Sequence, residues 1–181
     1  MDTLNLVSNE LDSRLSEEIR ASNVAAFEKL FRKYHSSLCD FAYRIVKAHD
    51  TPEDIVQEMF THIWIDRENW FPQVSVKAYL FRAVRNASLN YLKHLQVTDN
   101  WSNEQYCSIT SNLLEDFDNK ELLDRTLQAI ELLPEGCKTV FLLSREEGLT
   151  YEEIASTLDI SVKTVKTQMG RAFKALRRLL S

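Results

Sequence analysis

Residues 149–180 read LTYEEIASTLDISVKTVKTQMGRAFKALRRLL and carry the most informative local pattern in the chain. Thr150 and Glu153 have the spacing of a capping box, in which a threonine caps a helix and a glutamate one turn later reaches back to it. Ser161 can cap a second helix only a few residues after the first one ends. Because helices joined by so short a turn must cross steeply, the segment predicts a helix-turn-helix.

The second helix of this pair is predicted to have one apolar and one basic face. At about 100° per residue, six apolar side chains fall on one side: Val165, Met169, Ala172, Phe173, Leu176 and Leu180. The polar residues that could reach base edges lie in its N-terminal half: Lys163, Thr164, Lys166, Thr167, Gln168 and Arg171. Arginine and lysine suit guanine in a major groove, and glutamine suits adenine. The alternative is a plain amphipathic surface helix, but cap, turn and charge separation together favour DNA binding.

The composition of the whole chain favours helices as well. Only 3 Gly and 3 Pro occur in 181 residues, too few turns for an all-β sandwich, and 44% of the residues are hydrophobic. There is no apolar run of about 18 residues and no signal peptide at the start, so we expect no insertion into a membrane. The 3 cysteines include no Cys-x-x-Cys pair, which fits a reducing cytoplasm and predicts neither zinc nor a disulfide framework.

Charge divides the chain into segments, although its net charge is only −5. Residues 76–95 and 161–181 contain basic side chains and no acidic ones, as expected for two contacts with a polyanion. Residues 96–119 are acidic, rich in polar residues and weakly periodic. The sequence thus predicts an all-α protein with an N-terminal extension (1–22), two small helical domains (23–95 and 120–181) and a flexible acidic linker (96–119) between them.

The basic helix predicted from residue 76 also has two faces. Its outer face combines cations, amides and an aromatic ring: Tyr79, Arg82, Asn86, Asn90 and Lys93. Such a mixture suits phosphates and unstacked bases. The opposite, buried face is predicted to hold apolar side chains: Leu80, Ala83, Val84, Ala87 and Tyr91.

The helix before it is predicted to begin at Thr51-Pro52, with Thr51 as its cap. Asp54, Gln57 and Glu58 lie on one face of this helix, because they are three and four residues apart. An acidic, amide-bearing face repels DNA and suits a basic protein surface. On spacing alone, the alternative of an ordinary solvated face is favoured.

Together these segments resemble bacterial RNA polymerase sigma factors. EDIVQEMF (53–60) resembles the D-x-x-Q-E-x-F motif that grips the coiled coil of the polymerase largest subunit, and AYLFRAVRN (78–86) resembles the promoter-melting, minus-ten helix. LPE (133–135), VFLL (140–143) and the helix-turn-helix resemble the domain that reads the minus-thirty-five element. The likeness covers about residues 23–95 and 121–180, leaving no room for the extra domains of housekeeping sigma factors. The chain is therefore similar to the minimal extracytoplasmic-function (ECF) class.

The resemblance implies a role for each surface. Asp54, Gln57 and Glu58 would bind core RNA polymerase. The surface that opens the minus-ten element and holds a base of the melted non-template strand would comprise Trp70, Phe71, Tyr79, Arg82, Arg85, Asn86, Asn90 and Lys93. The face from Lys163 to Arg171 would dock on double-stranded promoter DNA; many family members carry Arg where this chain has Gln168. The acidic linker would thread the exit path of the polymerase, and a membrane-bound anti-sigma protein is a common partner. No cofactor or metal is implied.

Two other classes of function explain less of the sequence. A helix-turn-helix regulator that binds an operator as a dimer, without polymerase, explains the C-terminal unit but leaves the acidic face and the first basic helix without a role. The other class is a small helical enzyme. The sequence contains no glycine-rich phosphate loop, metal-spaced cluster or nucleophile elbow that would support it. The four histidines are dispersed: His35, His49, His62 and His94.

Overall fold

The computed structural model describes residues 2–98 and 120–180, with side chains from 8 to 95 and from 125 to 180. The chain divides into two compact units, Met1–Tyr106 and Cys107–Ser181. Within the described ranges the regular structure is entirely helical, so the predicted all-α fold is confirmed. None of the described helices is long and apolar enough to cross a membrane. Most of the predicted acidic linker lies outside the described residues.

The first unit is built around one central helix. It contains α1 (Asp2–Arg20), α2 (Val24–Val46), α3 (Thr51–Ile65), a 3₁₀ turn (Arg67–Asn69) and α4 (Val76–Thr98). The central helix α2 packs against α1, α3 and α4. It buries Leu30, Leu38 and Phe41 along one stripe, and Phe41 meets Phe81 of α4 edge to face, with ring centroids 5.2 Å apart. Burial of such a stripe stabilises the helix more than its intrinsic propensity does.

Helix α1 is the element that sequence reasoning missed, since residues 1–22 were expected only as an extension. Its Leu15 and Ile19 are buried, and so is the carboxylate of Asp12. Asp12 accepts hydrogen bonds from the hydroxyl of Tyr34 and from Nζ of Lys33, the latter at 2.6 Å. Because part of the inner face of α1 is polar, the hydrophobic periodicity that reveals the other helices is weak here.

The start of α3 also differs from expectation. Thr51 is already helical, with Asp50 as the preceding residue and no side-chain cap, so the prediction that Thr51 caps the helix is wrong. Its hydroxyl instead donates to Oη of Tyr91 on α4, at 3.3 Å. Pro52 does stand in the first turn, where its missing N–H costs nothing. The Thr51 hydroxyl thus links α3 to α4 instead of capping α3.

The described part of the second unit, residues 120–180, has four helices, of which the last contacts all the others. They are α5 (Lys120–Glu131), α6 (Glu135–Arg145), α7 (Tyr151–Leu158) and α8 (Val162–Leu180). The core is formed by apolar side chains from every helix and from the connections: Ala129, Leu133, Cys137, Val140, Leu142, Leu143, Leu149, Ile154, Ala155, Val165, Met169, Ala172 and Leu176. Gly148 adopts a left-handed conformation (φ 64°) at the turn before α7, which glycine does without strain.

The helix-turn-helix forms as predicted. Thr150 Oγ1 accepts from the backbone N–H of Glu153 at 3.2 Å, and the Glu153 carboxylate accepts from the N–H of Thr150 at 2.8 Å. Asp159 ends α7 in the left-handed region (φ 54°), a conformation that Asp tolerates better than most residues. Ser161 Oγ then accepts from the N–H of Thr164 at 3.0 Å and opens α8. Asp159 at the end of α7 and Ser161 at the start of α8 therefore define the two ends of the turn.

Candidate nucleic-acid and protein-binding surfaces

The acidic face of α3 consists of Asp54, Gln57 and Glu58, all exposed as expected from their spacing. The opposite side of the helix buries apolar residues such as Ile55 and Val56, which fixes the direction in which the face points. Two neighbours extend its polar contacts: Gln57 Nε2 donates to Glu53 Oε1 at 3.1 Å, and Nε2 of His62 lies 3.6 Å from Glu58 Oε1. The carboxylates are therefore solvated and open to a basic partner.

The outer face of α4 (the α4 face) holds five exposed residues of the predicted set: Tyr79, Arg82, Asn86, Asn90 and Lys93. Arg85 is half-buried, because it lies nearer the edge of the packed side. Leu80 and Val84 are fully buried, as predicted. Phe81, which the sequence left unassigned, is buried too, whereas Ala83, Ala87 and Tyr91 of the predicted buried face are only half-buried, so the packed side of α4 differs from the predicted one. The α4 face thus brings cations, amides and a ring together along one exposed strip.

The α3–α4 loop (residues 66–75) separates its two adjacent aromatic residues. Trp70 is only 4% exposed, and its ring packs against Tyr79 with centroids 5.9 Å apart, whereas Phe71 is 58% exposed. The prediction that Trp70 contacts DNA therefore does not fit its position in this structure, where it is a packing residue. Consecutive residues in a loop point in different directions, and sequence alone does not tell which one points inward. Phe71 is the ring of this pair that is open to a partner.

Tyr79 lies between this loop and the α4 face. Partial burial raises the pKa of its phenol, and the carboxylate of Asp66 raises it further. The side chain is therefore a neutral phenol throughout the physiological range. A neutral ring beside cations can stack on a base without repelling the neighbouring phosphates.

The basic face of α8 exposes Lys163, Lys166, Thr167 and Arg171, with Thr164 half-buried beside them. Val165 and Met169 are buried on the opposite side, as the periodicity predicts. The hydroxyl of Thr167 donates to the carbonyl of Lys163 at 2.9 Å, so its free hydrogen-bonding capacity is that of an acceptor. Added side-chain atoms at Gly170 would meet open space, so packing does not require glycine there.

Gln168 differs from its neighbours because its amide lies against the first turn of α6. The thiol of Cys137 donates to Gln168 Oε1 at 3.0 Å. A Cβ atom built on Gly136 would stand 3.0 Å from Gln168 Nε2, so the amide occupies the space that a side chain would take. Gln168 is half-buried and thus joins α6 to α8 at the edge of the basic face. No local sequence pattern indicates this contact, because it depends on how two helices pack.

Comparison with known proteins places both units in one family. Residues 30–97 match the description "Sigma-70 region 2", and residues 123–176 match "Sigma-70, region 4". The ECF RNA polymerase sigma-E factor of Haemophilus influenzae is 29% identical over 172 residues, covering 89% of this chain and 90% of its own. The RNA polymerase sigma-H factor of Pseudomonas aeruginosa is 25% identical over 186 residues, covering 97% and 96%.

The chain therefore belongs to the sigma-70 family, with region 2 in the first unit and region 4 in the second. Within that family it is an ECF sigma factor, an RNA polymerase subunit that directs transcription initiation. The fold agrees with two solved structures at 23% identity and a TM-score of 0.62 each. One is CnrH, in complex with the cytosolic domain of CnrY, covering 94% of this chain and 97% of that one. The other is RpoE of Bartonella quintana, in complex with the anti-sigma factor NepR, covering 85% and 96%.

Proposed function

We propose that this sigma factor selects and opens promoters through three surfaces, one for core RNA polymerase and two for DNA. The observation that carries the proposal is the separation of charge between them: the acidic face lies on α3, whereas the cations lie on the outer faces of α4 and α8. A polyanion is attracted to the last two and repelled by the first. Each surface therefore has one class of partner.

The acidic face of α3 binds a basic surface of core RNA polymerase. Asp54 and Glu58 are one helical turn apart and both exposed, so a single partner helix can contact them together. Gln57 lies between them and can supply a further hydrogen bond. Complementary charge of this kind speeds association and orients the complex.

The α4 face and Phe71 hold the melted non-template strand at the minus-ten element. Arg82 and Lys93 offer charge to phosphates, and Asn86 and Asn90 offer amides to base edges. Phe71 is an exposed ring on which an unstacked base can stack. Stacking of a base on an aromatic side chain is worth about 1–3 kcal/mol, comparable with the cost of unstacking it from the duplex.

The basic face of α8 reads the minus-thirty-five element in the major groove. Lys163, Lys166 and Arg171 project from the helix on the side away from the core. Gln168 contributes at the edge of this face, with its carbonyl oxygen already engaged by Cys137.

Co-elution of the full chain with core RNA polymerase from its host tests the proposal. We expect a stable complex from the wild type and a much weaker one from the double variant Asp54→Lys and Glu58→Lys. Glu10→Lys together with Glu17→Lys, at two exposed acids on α1, makes the same change in net charge and should co-elute normally. Free protein beside free core, with binding to isolated duplex as a dimer, would favour the operator-binding regulator instead.

The proposed activity is binding without catalysis, in the cytoplasm, where the polymerase and the chromosome are found. Regulation by a membrane-bound anti-sigma protein is proposed from the class alone. Capture of the tagged chain from host membranes tests it. A membrane protein that co-purifies and suppresses transcription in vitro would support this regulation, whereas capture of core polymerase alone would contradict it.

A further inference from the structure

Two arginines connect the α3–α4 loop to the end of α1. Arg20 Nη1 donates to the carbonyl of Trp70 at 3.4 Å, and the Arg20 guanidinium carbon lies 4.4 Å from the centroid of the Phe71 ring. From the loop side, Arg67 Nε donates to Oγ of Ser22 at 2.9 Å. The loop that carries Phe71 is thus attached to α1 and to the turn that follows it.

The position of Arg20 is fixed by its surroundings. Ile19, the preceding residue, is fully buried. Ser22 takes a left-handed conformation (φ 64°), and Asn23 then caps α2 by accepting from the N–H of Ala26 at 3.2 Å. The amide of Asn23 also donates to Glu18 at 3.0 Å. These contacts hold the α1–α2 turn in one conformation. The backbone position from which the Arg20 side chain extends is therefore fixed.

Phe71 is held on one side and open on the other. Its backbone follows Trp70, which is buried and whose carbonyl Arg20 binds. Its ring has the guanidinium at one face, a cation–π contact worth about 0.5–1 kcal/mol at an exposed site. With this face covered and 58% of the side chain still exposed, the opposite face is free for stacking.

We propose that Arg20 is a positioning residue that orients the Phe71 ring to receive an unstacked base of single-stranded nucleic acid. Helix α1 then supports the binding site for the melted strand through Arg20, without contacting a base itself. The inference rests on the proposed role of Phe71 in promoter opening. The physical reason is preorganisation: a ring already held in its binding orientation loses less conformational entropy when the base stacks on it.

The test uses the full chain with host core polymerase. A promoter is first identified by transcription of host DNA fragments in vitro, and 2-aminopurine is then placed in its melted non-template strand to report unstacking. We expect Arg20→Ala to lower the equilibrium extent of opening about two- to fivefold, and Phe71→Ala to lower it at least as much. The double variant should match Phe71→Ala, because Arg20 acts through that ring.

Controls separate this role from a general loss of structure. Arg14→Ala, on the same helix but lining the groove between α1 and α2, should open the promoter normally. Arg20→Lys keeps a cation near the ring and should retain most of the opening even if Arg20→Ala is poorly folded. Co-elution with core polymerase should be unchanged in every variant.

Three results would overturn the inference. Normal opening by Arg20→Ala, or an additive effect with Phe71→Ala, would show that Arg20 does not act through the ring. Normal opening by Phe71→Ala would remove the stacking role, and with it this inference, while the assignment of core binding to α3 would stand. Loss of co-elution by the wild type would instead contradict the proposed function itself.

Discussion

At the scale of single residues, Asp12 explains why α1 is attached to the rest of the first unit. Its side chain is 1% exposed and accepts hydrogen bonds from Tyr34 and Lys33 of α2. Burying a carboxylate is costly unless both oxygens are satisfied, and here they are. The buried acid therefore selects one register of α1 against α2, which apolar contacts alone would specify less sharply.

Replacing Asp12 should destabilise the first unit, because the buried hydroxyl of Tyr34 and the ammonium of Lys33 each lose a hydrogen bond to the carboxylate. We expect Asp12→Ala to lower the free energy of unfolding by about 3 kcal/mol, measured by urea denaturation of the full chain. Glu28→Ala is the matched control, since its ion pair with Arg32 is exposed and should contribute less than about 0.5 kcal/mol. Equal effects of the two variants would contradict the role assigned to the buried carboxylate.

Cys39 offers a prediction about pH. Burial, together with the nearby carboxylates of Glu53 and Asp40, raises the pKa of its thiol to about 11. We expect folded protein at pH 8 to be alkylated at Cys39 up to about a hundredfold more slowly than the unfolded chain, since thiolate is the reactive form. Mass spectrometry of iodoacetamide-treated protein measures this rate for each cysteine. Similar rates in folded and unfolded chains would refute the shift.

The raised pKa of Cys39 also makes the free energy of unfolding depend on pH. The unfolded thiol ionises near its ordinary pKa of 9.0, whereas the folded one stays protonated until pH approaches 11. Between these values the unfolded state binds fewer protons, so the contribution of Cys39 is complete below pH 9 and is lost as pH rises towards 11.

At the scale of helices, the sequence predicts best where the signal is local. The capping box at Thr150, the cap at Ser161 and the apolar face of α8 depend on residues within one or two turns, and all three form, except that Phe173 of the apolar face is 41% exposed. Helix α4 was also predicted, although it continues to Thr98 instead of ending at residue 95.

Errors arose where packing between helices decides the outcome. The partner of Thr51 is Tyr91, forty residues away in the chain, and no local rule indicates it. The family resemblance assigns Trp70 to the DNA-binding surface, but the contacts that bury it include Tyr79 on α4. Most of the candidate site residues are nevertheless exposed as predicted, because exposure on one face of a helix follows from periodicity.

The capping box of α7 yields a prediction at this scale. We expect Thr150→Ala to destabilise the second unit by about 1 kcal/mol, because the N–H of Glu153 loses its acceptor. Since α7 packs on α8, duplex binding should weaken as well, while co-elution with core polymerase should not change. Thermal unfolding followed by circular dichroism measures the first effect. Thr139→Ala, whose hydroxyl only donates back to the Glu135 carbonyl of its own helix, is the control and should change stability little.

At the scale of the whole molecule, a net charge of −5 conceals the feature that matters for function. The acids on the outer face of α3 lie in the same unit as the cations of the α4 face, and a second set of cations lies on α8. A protein that must bind both a basic protein surface and DNA needs this separation, because neighbouring opposite charges would weaken both interactions.

If the cations of α8 contact phosphates, the affinity for duplex DNA should depend on the salt concentration. We expect Lys166→Ala and Arg171→Ala each to weaken duplex binding and to lower the slope of log K against log[salt] by about one where the lost contact is to a phosphate. Fluorescence anisotropy of a labelled promoter duplex at several salt concentrations measures both quantities. Lys29→Ala, at an exposed cation of the first unit, should leave the slope for the upstream element unchanged. An unchanged slope in both α8 variants would remove this assignment.

The most direct test of the account is transcription in vitro from host DNA by core RNA polymerase, with and without the purified chain, followed by mapping of the transcript 5′ ends. The account predicts that the chain creates a discrete set of new start sites, each preceded by two shared sequence elements. It also predicts that Asp54→Lys together with Glu58→Lys abolishes them. A chain that binds duplex DNA but creates no new start sites with its own polymerase would contradict it.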